Sequence, residues 1–399
     1  MCEDVKNLIY LSACAIQGIT PDTNRVLNID HGALWALASS HNMTSVVASA
    51  LASSALFKEK TVSEAVIQKW SRSYYMALTN ELKFDAERKV ILDFMEENGI
   101  WYAPLKGIII KTLYPKRGMR EMSDNDILFD DNYADMMREF MENRGYETET
   151  FNLYHHDAYL KEPIYNFELH RTLFAQKDEP LWFEYYKNLK SKLIKDDDNK
   201  FGYHFSYEDL YIHTIAHAKR HYTEGGTGFK TFMDNYVFLE AKGDTLDKDY
   251  INRELIKLDI ADYEKKLADM SYRLFANPER IFEDEFNPED EHWLYDTEIS
   301  GTYGSIKTSA FRKMNEISED QEGMNQSTKR KYIMGRLFPK PEHIRKSYPL
   351  SDKVPILIPY FYIHRIVRNV VLRKNAIDAE IASANQILEH DKQKSKKAR

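Results

Sequence analysis

Leu105-Lys106-Gly107, followed by Ser123-Asp124-Asn125-Asp126-Ile127-Leu128-Phe129 and then by Asn166-Phe167-Glu168-Leu169-His170, is the part of the chain that decides the fold. On a β-strand alternate residues share a face, so Asp124 and Asp126 project together, and Glu168 joins them if its strand lies alongside. Three converging carboxylates repel one another unless a cation neutralises them. Hard divalent ions with oxygen ligands, chiefly Mg²⁺, serve that purpose, and the chemistry they suit is phosphoryl or nucleotidyl transfer. From Tyr165 to His170 the alternation is complete: Tyr165, Phe167 and Leu169 fall on an apolar side, and Asn166, Glu168 and His170 on a polar one. The plainer reading makes Asp124 and Asp126 a turn cap and Glu168 a solvated sheet residue. For a DxD pair taken alone the plainer reading wins.

The chain has 399 residues, more than one ordinary domain needs, and two or three compact units are expected. Hydrophobic residues at 43% and charged residues at 30%, with 26 Tyr and 20 Phe, describe a globular protein with a large core. A net charge of -8 argues against a surface that is wholly an electrostatic clamp for nucleic acid, while leaving room for one basic groove. Cys2 and Cys14 are the two cysteines, so neither a disulfide framework nor a Cys-based zinc site is expected, which fits a reducing cytoplasm. Residues 1–6 lack a basic leader. No apolar run reaches the roughly 18–20 residues of a membrane helix, and the segment Val354 to Tyr362 is interrupted by Pro355 and Pro359. The expectation is a cytoplasmic protein that does not enter a membrane.

Five segments are expected. Residues 1–98 form an N-terminal helical region, ending in a helix through Lys89–Met95 that stops at Gly99. Residues 99–205 form a small mixed sheet with short helices. Its strands lie near Ile100–Ala103, Asp126–Phe129, Tyr146–Thr150 and Tyr165–Leu169. Its helices lie near Gly107–Leu113 and Asn132–Asn143, the latter capped by Asp131 and stopped by Gly145. Residues 206–282 are helical, with one helix from Asp209 ending before Gly225-Gly226 and another from about Phe229 to Ala241. Residues 283–335 are a polar, loop-rich excursion, and residues 336–399 a C-terminal segment with a basic tail, Asp391 to Arg399. The fold class is α+β.

Beyond the acids, Lys106-Gly107 sits where a strand gives way to a helix; a glycine there lets a phosphate approach backbone N–H groups, while the plainer and commoner reading makes Gly107 a demand of backbone geometry and Lys106 an ordinary surface lysine. Arg117 and Arg120 suit either polyphosphate or nearby carboxylates. His213, His217 and His221 recur every four residues along one helix stripe, one turn after Asp209. Three collinear imidazoles do not close a tetrahedral zinc site. A core stripe satisfied by hydrogen bonds, or the wall of a cleft, ranks higher. With Lys230 and Asp234 on the next helix, His217 and His221 are expected to face the carboxylates, as His170 does from the sheet.

Taken in order, Leu105-Lys106-Gly107, Arg120, Asp124 to Leu128, Gly145-Tyr146, Phe167 to His170, His217 to His221, Lys230 to Asp234 and Arg336 to Arg365 resemble the uncharacterised nucleotidyltransferase family of the DNA polymerase β-like superfamily. The resemblance implies a minimal nucleotidyltransferase core flanked by helices, transferring NMP from an NTP such as ATP with Mg²⁺, or Mn²⁺, and releasing pyrophosphate. It assigns Asp124, Asp126 and Glu168 to catalysis and metal binding. Lys106, Gly107 and Arg120 would handle phosphates, with His170, His217, His221, Lys230 and Asp234 at the nucleotide. Ile108 stands where many relatives in the wider superfamily carry Ser, and Asn125 where an apolar residue is usual.

The leading expectation is therefore a transferase acting on a hydroxyl or phosphate of a small molecule, sugar or peptide. Its rivals are a catalytically silent relative that binds a nucleotide or partner, and a toxin- or defence-type transferase that modifies RNA or protein. Removing one member of an acidic cluster relieves repulsion, so Asp126→Ala is expected to abolish turnover while leaving the fold intact or stabilised.

Overall fold

The computed structural model of the chain describes residues 1–59, 61–302, 314, 317, 326–338 and 355–362. Two compact units emerge: Met1–Arg220 with Gly228–Glu291, and His221–Thr227 with His292–Arg399. The segments 1–98 and 99–205, with most of 206–282, thus share one unit.

That first unit opens with helices α1 (Glu3–Gln17), α2 (Thr23–Leu27), α3 (His31–Ser40), α4 (Thr44–Ser53), α5 (Ala55–Lys58) and α6 (Glu64–Glu97). The chain then enters a sheet through β1 (Tyr102–Pro104), α7 (Gly107–Ile110), β2 (Asn125–Phe129), α8 (Ala134–Asn143), β3 (Glu147–Thr150), β4 (His156–Lys161) and β5 (Tyr165–His170). The strand order is β1-β2-β5-β4-β3, with β2 and β5 parallel and the remaining pairs antiparallel. After it come α9 (Pro180–Tyr186), the ribbon of β6 (Ile194–Lys195) and β7 (Tyr203–His204), then α10 (Tyr207–Glu224), α11 (Phe229–Lys242), α12 (Lys248–Lys257), α13 (Ala261–Phe275) and α14 (Arg280–Glu283). A small mixed sheet set among helices is an α+β fold, as the sequence leads one to expect.

Helix α15 (Pro288–Ser300) lies where the sequence reading places loops. Pro288 at its start and Glu289, Asp290 and Glu291 in its first turn are the residues a helix N-terminus favours. In the second unit Trp293 packs edge-on to Tyr222 at 5.7 Å, and Thr297 Oγ1 donates to the Trp293 carbonyl at 2.9 Å. The expected C-terminal block from Arg336 to Arg365 falls only partly within the described residues, and the basic tail from Asp391 to Arg399 falls outside them. Asp131 does not cap the expected helix: α8 starts at Ala134 with no side-chain cap, and the Asp130 carboxylate caps the 3-10 turn Asp131–Tyr133 ahead of it, accepting from the Asn132 N–H at 3.3 Å.

One face of the sheet carries the core. Ile127 and Phe129 of β2, Tyr159 of β4, and Phe167 and Leu169 of β5 pack with Phe84, Ile91 and Met95 of α6 and with Met137 and Met141 of α8. Each such side chain, once buried, stabilises the fold by about 1.5–3 kcal/mol. This packing sets the register, because a one-residue slip would drive Asp126 and Glu168 into the apolar layer. Asn125 takes the core-side position in β2, and its Oδ1 accepts from Arg88 Nη1 at 2.8 Å.

Arg88 belongs to an ionic network along α6. Asp85 pairs with Arg88, Lys111 and Arg117, while Glu81 accepts from Arg117 Nε at 3.0 Å and from the Gly118 N–H at 2.7 Å. Arg117 thus neutralises carboxylates, the second of the two roles its sequence position allows. The network fastens the lead-in to β2 onto α6. Gly118 has φ +79°, and a Cβ there would sit 2.9 Å from Leu78 Cβ and 3.0 Å from its Cα. Gly118→Ala is therefore expected to destabilise the protein by about 1–3 kcal/mol in urea unfolding. A variant as stable as the parent would show that this lead-in is not anchored as described.

Candidate active site

Parallel pairing puts Asp126 opposite Glu168 and Leu128 opposite His170. The face of β2 and β5 turned away from the core therefore carries two acids and an imidazole. His170 Nε2–H donates to Asp126 Oδ1 at 2.7 Å, Lys106 Nζ donates to the same oxygen at 3.1 Å, and His170 Nε2 stands 3.6 Å from Glu168 Oε2. Among the described residues the ligand atoms of Asp126, Glu168 and His170 lie within 4.8 Å of one another. Asp124 lies just before β2, half-buried and outside that triangle. The tight group is thus two acids and His170, with Asp124 acting on it through charge.

The electrostatics divide the acids. Burial, together with the charges of Asp126 and Glu168, pushes Asp124 up to about 6 against the pull of Lys106 and Lys230. Burial would also raise Asp126, but Lys106 and His170 outweigh it and hold this carboxyl far below the usual range. Glu168 is likewise raised by burial, and the His170 hydrogen bond with the His156 charge brings it below its ordinary value. Burial acts to lower His170, yet its hydrogen bond to Asp126 and the nearby Glu168 carboxylate raise it.

Lys106 owes its place to an unusual backbone. Its φ of 44° and ψ of -115° suit glycine better than lysine and cost about 1–3 kcal/mol. The conformation is held between the Leu105 N–H, which donates to the Asp126 carbonyl at 2.9 Å, and α7. Gly107 meets a different need from the one its sequence suggests. A Cβ there would lie 2.6 Å from Arg120 Nη1, so the guanidinium packs on the glycine, and α7, at four residues, offers no helix N-terminus for phosphate. Arg120 in turn grips Asp234 with Nε at 2.8 Å and Nη2 at 2.9 Å, while Tyr114 Oη–H donates to the same carboxylate at 2.6 Å. Lys230, one turn earlier on α11, donates to the Glu121 carbonyl. Burial and the Arg120 charge bring its ammonium down to about 8. Lys230 and Asp234 therefore clamp the lead-in to β2 beside Asp124.

The histidines on α10 separate. His213 is buried with no hydrogen-bond partner on either nitrogen among the described residues, stacked on Phe205 at 5.7 Å and edge-on to Tyr186 at 5.9 Å and Phe174 at 6.0 Å. An aromatic box, not a hydrogen-bonded stripe, accommodates it. The His217 ring lies 6.4 Å from that of His213, and His221 falls in the second unit. The residues the sequence reading missed are His155 and His156, at the start of β4. His156 Nε2 stands 3.7 Å from Glu168 Oε2, and His156 Nδ1 stands 3.3 Å from His155 Nε2. Burial and the neighbouring cationic groups keep His155 well below its ordinary pKa, and burial brings His156 down to about 4. The adjacent pair was the available signal. A cavity of about 740 Å³ is lined by Leu128, Arg171, Lys187, Lys190, Trp101 and Tyr203 among others.

The family model of the uncharacterised nucleotidyltransferases matches residues 28–276, a span that contains every side chain just described. The chain belongs to that nucleotidyltransferase family. The membership supports nucleotidyl transfer as its general chemistry. An antigenic nucleotidyltransferase-like protein from Paracoccidioides brasiliensis is similar in structure at 17% identity and a TM-score of 0.31, over 49% of this chain and 94% of that one. No curated protein matches. Among the described residues no helix is long and apolar enough to cross a membrane.

Proposed function

We propose that this chain moves NMP from an NTP to a hydroxyl or phosphate of a small-molecule, sugar or peptide acceptor, releasing pyrophosphate, with Mg²⁺ held by Asp124, Asp126 and Glu168. The observation that carries the reading is the register of Asp126 against Glu168 on parallel strands, with Asp124 pushed up to about 6 by burial and by the charges of Asp126 and Glu168. An acid destabilised as an anion beside two further carboxylates is a donor set that suits a hard cation. The bound ion would supply charge neutralisation for the triphosphate and for the oxygen about to attack.

The protein's own groups do the remaining work. Lys106, Arg120 and Lys230 place three positive charges around Asp124, where a triphosphate needs them. The acceptor oxygen attacks the α-phosphorus, the bond to the α,β-bridging oxygen breaks, pyrophosphate leaves, and the acceptor proton passes to the carboxylate centre. Leu128 follows Asp126 by two residues on the same face, about 7 Å along the strand, and it lines the 740 Å³ cavity. That cavity is the proposed acceptor site.

A second reading, a relative that binds nucleotide without turnover, draws on the pairing of Asp126 with Lys106 and His170, which already satisfies its charge. One assay separates the two. With each of the four NTPs, Mg²⁺ and a cell extract as acceptor source, the parent chain is expected to release pyrophosphate and Glu168→Gln to do so at least ~10²-fold more slowly. Nucleotide binding with no release in either protein would favour the silent reading.

A further inference from the structure

We propose that His155, His156 and His170 form a nitrogen-rich site for a borderline divalent cation of the Zn²⁺ class, distinct in ligand chemistry from the carboxylate centre beside it. One ring nitrogen from each of the three lies within 4.8 Å of the others. His155 Nε2 and His156 Nδ1 are 3.3 Å apart, long for a hydrogen bond. Two nitrogens bound about 2.0–2.1 Å from one tetrahedral ion are separated by roughly that distance.

Two of the three rings also have a nitrogen turned to a carboxylate. A ligating histidine commonly presents its other nitrogen to a carboxylate, which fixes the ring and raises its basicity. His170 gives Nε2–H to Asp126 at 2.7 Å, and its Nδ1, on a residue 1% exposed, has no hydrogen-bond partner among the described residues. His156 turns Nε2 toward Glu168 Oε2 at 3.7 Å. The loop that delivers His155 and His156 is fastened from behind. Arg171 donates through Nη2 to the Tyr154 carbonyl at 2.7 Å and pairs with Asp157 at 3.2 Å, while its backbone N–H donates to the His155 carbonyl at 3.0 Å. Arg220 Nη1 stands 3.3 Å from His155 Nε2 and so marks that nitrogen as an acceptor, the lone pair an ion would take. Imidazole donors select Zn²⁺, Co²⁺ and similar ions over Mg²⁺, which prefers oxygen. The ligand atoms belong to the histidines, with the acids only orienting them, so the site stands whether or not those acids transfer a nucleotide.

The test uses the full chain stripped with EDTA and titrated with Co²⁺, whose visible d–d band reports nitrogen ligation. One equivalent is expected to bind with an intensified band, to be displaced by Zn²⁺ and to withstand excess Mg²⁺. The His155→Ala/His156→Ala variant should bind at least ~10-fold more weakly. Arg220→Met, which removes the competing cation, should bind more tightly. Absence of the band, displacement by Mg²⁺, or an unchanged band in the double variant would overturn the proposal. If the double variant fails to fold, an Arg220→Met affinity no tighter than the parent's does so. No NTP enters this measurement, so its failure leaves the nucleotidyl-transfer reading to its own assay.

Discussion

Asp126→Ala is expected to cost the metal-free protein about 3–5 kcal/mol, as truncating one member of a buried ion pair does. Lys106 Nζ and His170 Nε2 both donate to the one Asp126 oxygen, and the Asp126 side chain is only 5% exposed. Removing it leaves a lysine and a histidine facing each other without their counter-ion. The sequence alone suggests the opposite sign, because a cluster of acids without cations is relieved by losing one. The structure assigns that relief to Asp124, whose carboxyl burial and the charges of Asp126 and Glu168 push up to about 6. Asp124→Asn is expected to stabilise the EDTA-treated protein by about 1 kcal/mol. Under the proposed function both variants lose Mg²⁺-dependent turnover. Urea unfolding of the two in EDTA checks the contrast. An Asp126→Ala protein as stable as the parent would mean that the Lys106 and His170 contacts carry no net energy.

Asp234→Ala carries the second large effect, again about 3–5 kcal/mol. Its carboxylate takes two bonds from Arg120 and one from Tyr114, and the Arg120 and Asp234 side chains are 11% and 12% exposed. Without Asp234 the guanidinium that packs on Gly107 has no partner for two of its donors, and the strand lead-in loosens from α11. Replacing both partners with apolar residues of similar size, Arg120→Met with Asp234→Leu, is expected to regain most of the loss. A double variant no more stable than Asp234→Ala would show that the pair holds the lead-in through geometry an apolar contact does not reproduce.

The sheet face was legible because β5 keeps strict alternation, whereas β2 departs from it, with Asn125 on the core side and Leu128 on the face of Asp126. Period-2 patterning survives in the sequence when one face is buried on a helix and the other is polar. Strand β4 was not legible. His155-His156-Asp157 opens it without an apolar alternation, and its identity comes from pairing with β5 along His156 to Lys161. The partners of Arg120 and Lys230 lie more than a hundred residues away in the chain, a distance at which local pattern carries no signal. The α6 network is different. Glu81, Asp85 and Arg88 fall on one helix stripe, so their grouping was visible, though not the Lys111 and Arg117 that answer it. Gly107 shows the limit of motif reading. Its motif allows either room for phosphate or a demand of the backbone, and the space a Cβ would take is filled by Arg120.

The most direct test of nucleotidyl transfer compares one NTP labelled at the α-phosphate with the same NTP labelled at the γ-phosphate, each incubated with the full chain, Mg²⁺ and a cell extract. The expected result is α-label carried into an acceptor, γ-label released as pyrophosphate, and neither in Glu168→Gln. Transfer of the γ-label to the acceptor, or α-label incorporation that persists unchanged in Glu168→Gln, would contradict it.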